Sequence, residues 1–328
     1  MGTVIEQGLS GTEDRAWLSV YLLFDDPPSS IYAERTDAII LDILAPFVAE
    51  CEAKQWIERF FYLRFREDQC QVRLRLGGRM AVLRETVGAA FLEHLRVIAA
   101  GRASAGFRGP PLPRVQWVPY EPEIDRYGGA DVMPLAEACF HRSSEATFSL
   151  LAASRGRGDA ARLGQAALTL LAFVYGVTQR ESRAVEFLEY FCTSYVTSFG
   201  EQTGDKRDGW RERFSVSHAS QDERIADYIA EAWRRITTGE PISDPVDVLV
   251  ESGRTLADAM GGSELFTPPT RERPLLPADA RRSAIIAAAS LIHMTMNRLG
   301  VTPMHEAFLA DICARQLRRL LTPAVEHA

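Results

Sequence analysis

Two stretches of the chain hold the residue types best suited to chemistry. In "QVRLRL" (71–76), Arg73 and Arg75 alternate with Val72, Leu74 and Leu76. Alternation with a period of two marks a half-buried strand, so both guanidiniums share the face opposite the apolar one. "FFYLRFRE" (60–67) brings Arg64 and Arg66 from a neighbouring strand. Like charges on adjacent strands repel, so such a face either stands in water or receives an anion. Guanidinium suits carboxylate or phosphate, which it grips as a planar fork while always charged. The second stretch is "SLIHMTMNRLG" (290–300). His293 and Asn297 lie four residues apart and share a helix face. An ordinary pKa of about 6.5 makes His293 the best general acid or base in the chain. The competing reading is a hydrogen-bonded core histidine, because this helix is apolar nearly all round. Gly300 is the predicted helix stop.

A third stretch, "VQWVPYEPEIDRYGG" (115–129), places Glu121, Glu123, Asp125 and Arg126 after a strand and then Tyr127-Gly128-Gly129. It reads either as an ordinary charged strand end or as half of a binding site. In the second case Glu123 receives a ligand ammonium or holds a crowded Arg, and Arg126 joins the cations.

The elements that position these residues follow from periodicity. Strands are predicted at 17–24, 60–67, 71–76 and 115–120, the last with Pro119 near its end. Their inward faces are expected to be Leu18, Val20, Leu22 and Phe24, then Phe61, Leu63 and Phe65, then Val72, Leu74 and Leu76. At most four residues, "DQCQ", join the middle pair, which predicts an antiparallel hairpin. Helical spacing covers 33–55 and about 80–99. After Gly129 the chain reads as helices at 133–154, 161–177, 181–199, 222–239, 245–261, 280–300 and 303–321. A Pro-rich spacer occupies 266–279. The predicted fold class is α+β: a small antiparallel sheet of about four strands packed with helices, followed by a mostly helical part. One domain over 1–328 is expected, sheet-rich over about 15–129 and helical over about 130–328, because four strands need a partner for their apolar face.

Composition bounds the rest. A net charge of -7 and a pI near 5.5 exclude a general basic coat for nucleic acid, while leaving room for a local basic pocket. Five scattered Cys form no CxxC pair, and His94, His141, His218 and His305 have no partner at ligand spacing, so neither a metal nor a cofactor is expected. The N-terminus lacks a signal-peptide pattern. The longest apolar runs, "AALTLLAFVYGV" and "AIIAAASLIHMTM", fall short of about 18 residues and read as buried helices. Together these predict a cytoplasmic chain with no membrane association.

In their order, "WLSVYL", "FFYLRF", "VRLRL", W-x-x-YEPEIDRYGG and H-M-x-x-N-R-L-G resemble the thiopeptide-type bacteriocin biosynthesis domain. The same domain forms the C-terminal elimination half of class I lanthipeptide dehydratases. The resemblance runs from about residue 17 to 320. It implies a peptide-modifying lyase that expels glutamate from glutamylated Ser or Thr, leaving dehydroalanine or dehydrobutyrine. The implied catalytic residues are Arg73 and Arg75 of R-x-R, Arg126 of E-x-x-R-Y-G-G, and His293. Glu123, Arg64, Tyr127 and Asn297 are expected to bind substrate. One departure is visible: Gln71-Val72 stands where the family often has His-Leu. The implied partners are a precursor peptide, leader plus core, and a separate glutamylating dehydratase subunit that uses glutamyl-tRNA, for which this chain is too short. A homodimer is left open. Two alternatives remain: a thiopeptide pyridine synthase, joining two dehydroalanines by a formal [4+2] aza-cycloaddition with release of the leader, and a non-catalytic peptide-binding partner of a glutamylating dehydratase.

Overall fold

Period-two alternation in 71–76 does build a sheet, and the computed structural model shows its order. The structure describes residues 5–25, 34–200, 222–261 and 277–321, in two compact units, Met1–Glu123 and Ile124–Ala328. The first holds strands β1 (Leu9–Gly11), β2 (Ala16–Phe24), β3 (Arg59–Arg66), β4 (Cys70–Gly78) and β5 (Arg114–Trp117). All pairings are antiparallel, in the order β1-β2-β4-β3, with β5 sharing the β1 edge of β2. The sheet therefore is four strands wide, as expected, with a fifth short strand. Three residues, "LSG", carry no alternation, and β1 was invisible for that reason.

Two helices cover one face. The first, α1, runs Glu34–Ile39, through a π-helical turn Ile40–Leu44, to Ala45–Ala53. The second, α2, runs Met80–Val82, through a π-helical turn Leu83–Val87, to Gly88–Ser104. Leu18, Val20, Leu22, Val72, Leu74 and Leu76 are buried on the sheet, and Ile40, Ile43, Phe47, Leu83 and Phe91 on the helices. Phe91 stacks edge-on against Phe47 at 4.9 Å and against Trp117 of β5 at 6.2 Å. Each such side chain contributes about 1.5–3 kcal/mol by leaving water, which is what orders the sheet.

The phase of β3 is the reverse of the expectation. Tyr62 lies opposite Leu74, Phe60 opposite Leu76 and Arg64 opposite Val72. Directly opposed residues share a face, so Phe60, Tyr62 and Arg64 belong to the helix-covered side, and Phe61, Leu63 and Phe65 to the other. "FFYL" is apolar at both parities, and only the partner strand sets its register.

The second unit is helical. A 3-10 turn, Ile124–Tyr127, leads through Gly128 and Gly129 into α3 (Met133–Ser154). Gly128 and Gly129 have φ of +96° and +107°, backbone that side chains other than Gly rarely adopt. The Gly129 carbonyl accepts from the Val132 and Met133 N–H groups. There follow α4 (Gly158–Thr178), α5 (Glu181–Gly200), α6 (Asp222–Thr238), α7 (Asp244–Gly261), α8 (Pro277–Leu299) and α9 (Pro303–Leu321). The Pro-rich spacer falls mostly outside the described residues. At 21 residues α4 is long and apolar enough to cross a membrane, longer than its apolar run suggested. Leu170, Leu171, Ala172, Phe173 and Val174 are all buried within the protein, which is the property of a core helix. Gly176 of α4 and Gly253 of α7 let the two backbones touch. Helix α8 ends as predicted: Gly300 has φ +80°, its N–H donates to the Asn297 carbonyl, and the Val301 N–H to that of Met296, a Schellman cap. Arg162 donates to the last helical carbonyl, Leu299, at 2.7 Å.

Candidate active-site residues

Register places Arg73 and Arg75 on the sheet face away from the helices. Arg75 stands opposite Ser19, and Arg73 opposite Tyr21. Arg75 is 6% exposed. Its guanidinium lies 5.1 Å from the Tyr21 ring, 5.7 Å from that of Tyr120 and 6.0 Å from that of Phe61. Trp17, Phe61 and Tyr120 pack edge-on around it, with centroids 5.3–5.5 Å apart. Its one hydrogen bond, Nη2 to the Tyr21 hydroxyl, is long at 3.4 Å. Nε and Nη1 are buried without a partner among the described residues, and so is the Ser19 Oγ. Burial pulls the Arg75 pKa down to about 10, the direction expected for a cation taken out of water.

Arg73 is more open. Its guanidinium sits 3.6 Å from the Phe65 ring and 4.5 Å from Tyr21, and its Nε donates to Gln71 at 3.0 Å. Gln71, the departure seen in the sequence, thus orients one of the two Arg residues. Burial lowers the Arg73 pKa, while Tyr21, Glu67 and Glu123 act in the opposite sense. Glu123 is exposed and within electrostatic reach of Arg73. Arg64 does not join this group. It projects to the helix-covered face and donates to Asp37 of α1 at 2.6 Å, with both side chains only 11–13% exposed. The reversed phase of β3 is the reason.

In the helical unit, α8 gathers the other candidates. His293 is 15% exposed at its side chain, and its Nδ1 lies 3.0 and 3.1 Å from the two carboxylate oxygens of Glu306. The Tyr195 ring packs on the imidazole at 5.3 Å. One turn before His293, the Ser290 Oγ accepts from Arg126 Nε at 3.4 Å. Arg126 also acts electrostatically on Glu306 and Tyr195. Tyr127 is buried with its ring edge-on to Phe140 at 5.0 Å. Asn297 is half-buried, one turn beyond His293. Glu306 is wholly buried; burial pushes its pKa up, and His293 and Arg126 pull it back. Burial also raises the Tyr195 pKa.

Sequence reasoning missed Ser19, Tyr21 and Tyr120 beside Arg75, and Ser290, Tyr195 and Glu306 around His293. One signal was available: Glu306 stands on the buried stripe of α9 with Ala310, Cys313 and Leu317, and an acid on an apolar stripe is rarely there for packing.

The first unit thus holds paired arginines on a sheet, and the second a histidine–carboxylate pair between two helices. The lantibiotic biosynthesis dehydratase C-terminal family matches residues 29–317, and the chain belongs to it. The epidermin biosynthesis protein EpiB of Staphylococcus epidermidis is 28% identical over 135 residues, 41% of this chain and only 12% of EpiB. Two solved structures share the fold. The pyridine synthase TbtD from thiomuracin biosynthesis has a TM-score of 0.62 at 17% identity, over 93% of this chain and 98% of TbtD. The tRNA-dependent lantibiotic dehydratase MibB from Microbispora sp. 107891 has a TM-score of 0.59 at 17% identity, over 95% of this chain and 29% of MibB.

Proposed function

We propose that this chain is the glutamate-eliminating lyase of a lantibiotic or thiopeptide pathway, acting on a precursor peptide whose Ser or Thr has been glutamylated by a separate dehydratase subunit that uses glutamyl-tRNA. The observation that carries the reading is Arg75: a buried cation with two donors unmatched, and Ser19 Oγ beside it in the same state. Buried donors without acceptors cost stability, and a carboxylate would satisfy them as charge-assisted hydrogen bonds. Arg73, restrained by Gln71 and Phe65, adds a second guanidinium. Glu123 suits the ammonium of the glutamyl group. In the step itself, His293 takes the Cα proton, the Cα–H electron pair becomes the Cα=Cβ double bond, and the Cβ–O bond breaks to release glutamate as a carboxylate. The leaving anion needs no proton, so guanidinium charge suffices to assist it.

A second reading is a pyridine synthase, favoured by the aromatic cluster of Trp17, Tyr21, Phe61 and Tyr120, which would pack flat heteroaromatic rings. It leaves the Arg75 donors without an anionic product to hold. The test is to give purified protein a pre-glutamylated peptide, then a peptide bearing two dehydroalanines at cyclisation spacing, following both by mass. Loss of glutamate in the first supports the lyase. A pyridine with released leader in the second, and no change in the first, overturns it.

A further inference from the structure

Glu306 is wholly buried against His293, the general base of the proposed elimination. We infer that Glu306 is the positioning residue of His293, fixing the imidazole in the tautomer protonated on Nδ1 and leaving Nε2 as the atom that takes the proton. The origin of that proton rests on the elimination reading above; the tautomer does not.

Against the cost of burial, His293 and Arg126 both favour the ionised form of Glu306; an ionised carboxylate is an acceptor only, so the nitrogen facing it carries the hydrogen. Both Glu306 oxygens lie within 3.0–3.1 Å of Nδ1, while Nε2 has no hydrogen-bond partner among the described residues. Glu306 sits in the first turn of α9, where the helix dipole favours an anion. The charged and titratable groups around the imidazole are Glu306 from α9, Tyr195 from α5 and, acting on both of these, Arg126; Tyr127 and Tyr190 act on Tyr195. A role in folding alone does not account for the residue. A buried ion pair can often be replaced whole by packed apolar side chains with no loss of stability, so the presence of the pair here points to the imidazole rather than to packing.

The test uses the whole protein labelled with 15N-histidine, His293→Ala identifying one signal among six. Wild-type His293 is expected to show Nδ1 protonated and Nε2 unprotonated when neutral. Glu306→Gln keeps the size, but its amide can either accept from or donate to Nδ1, so the tautomer is no longer fixed and the form protonated on Nε2 appears in the spectra. On glutamylated peptide its kcat falls about tenfold to a hundredfold, less than the 10²–10⁴ a base itself contributes, with KM little changed, and Glu306→Asp recovers part of the loss. A wild-type tautomer protonated on Nε2 overturns the inference without any variant. So does a folded Glu306→Gln protein whose tautomer and kcat match wild type. Should wild-type protein leave glutamylated peptide intact, the elimination reading falls, and the same spectra still decide the tautomer.

Discussion

Replacing Arg75 by Met should make the protein more stable and deprive it of its anion site. At neutral pH Arg75 is a cation inside the protein. Burial pulls its pKa down from the ordinary guanidinium range to about 10, and at 1.36 kcal/mol per pKa unit this is a folding penalty on the order of 3 kcal/mol. The aromatic rings at 5.1–6.0 Å return roughly 0.5–2 kcal/mol of cation–π attraction. Arg75→Met, similar in length and able to fill the aromatic cluster, therefore gains about 1–3 kcal/mol net, the range found when buried ions give way to apolar residues. With an unfolding entropy of about 2.1 cal/mol/K per residue over 328 residues, each kcal/mol raises Tm by roughly 1.5 °C, so the variant should melt about 2–4 °C higher. The sign of the pH dependence follows. The folded-state pKa is depressed, so the penalty is present at every pH below about 10. As pH rises from there toward the ordinary guanidinium range the unfolded chain holds a proton the folded one has lost, wild-type stability recovers, and the gap to the variant closes. Calorimetric melts of both proteins, each with and without glutamate, make the comparison. Glutamate should raise the wild-type Tm by mass action and leave Arg75→Met unmoved. A variant that melts at or below wild type and still responds to glutamate refutes the reasoning.

The remaining expectations concern single contacts. His293→Ala should lose about 10²–10⁴ in elimination rate while still binding glutamylated peptide; a full single-turnover rate in a folded variant removes His293 from the mechanism. Arg64→Ala should lower stability by on the order of 3 kcal/mol, the cost of removing one partner from its nearly buried ion pair with Asp37; an unchanged melting temperature argues against that ion pair. Gly176→Ala should destabilise by about 1–3 kcal/mol, since its Cβ would stand 2.2 Å from the Val250 carbonyl oxygen; chemical denaturation measures it, and a neutral result means α4 and α7 separate more easily than their packing implies.

Where one residue pattern has one physical solution, the sequence was enough. The alternation of Val72, Leu74 and Leu76 put Arg73 and Arg75 on a common face, the Gly pair after Tyr127 made a turn only Gly allows, and Gly300 ended α8. The phase of β3 was not legible, because "FFYL" offers apolar residues at both parities and the choice belongs to β4. Arg64 was misplaced with it. Partners remote in sequence were equally hidden. Ser19 meets Arg75 through strand register, and Glu306 meets His293 across the turn that follows Gly300; neither spacing is a motif.

Two of the buried ionisable residues, Glu306 and Arg75, differ in a way that bears on function. Glu306 has its donor, and the His293–Glu306 pair is complete within one unit of the protein. Arg75 has donors without acceptors, and nothing among the described residues completes it. An uncompensated buried cation is the costlier arrangement, and selection for stability alone would replace it, as the Met variant should show. On the reading proposed above, an anion that arrives from outside accounts for a group kept at that cost. Glutamate released by elimination is such an anion, and binding it would recover part of the stability that Arg75 removes. On the proposed elimination reading, that coupling would favour a lyase over a scaffold that only presents a peptide, because elimination frees a glutamate for Arg75 to hold.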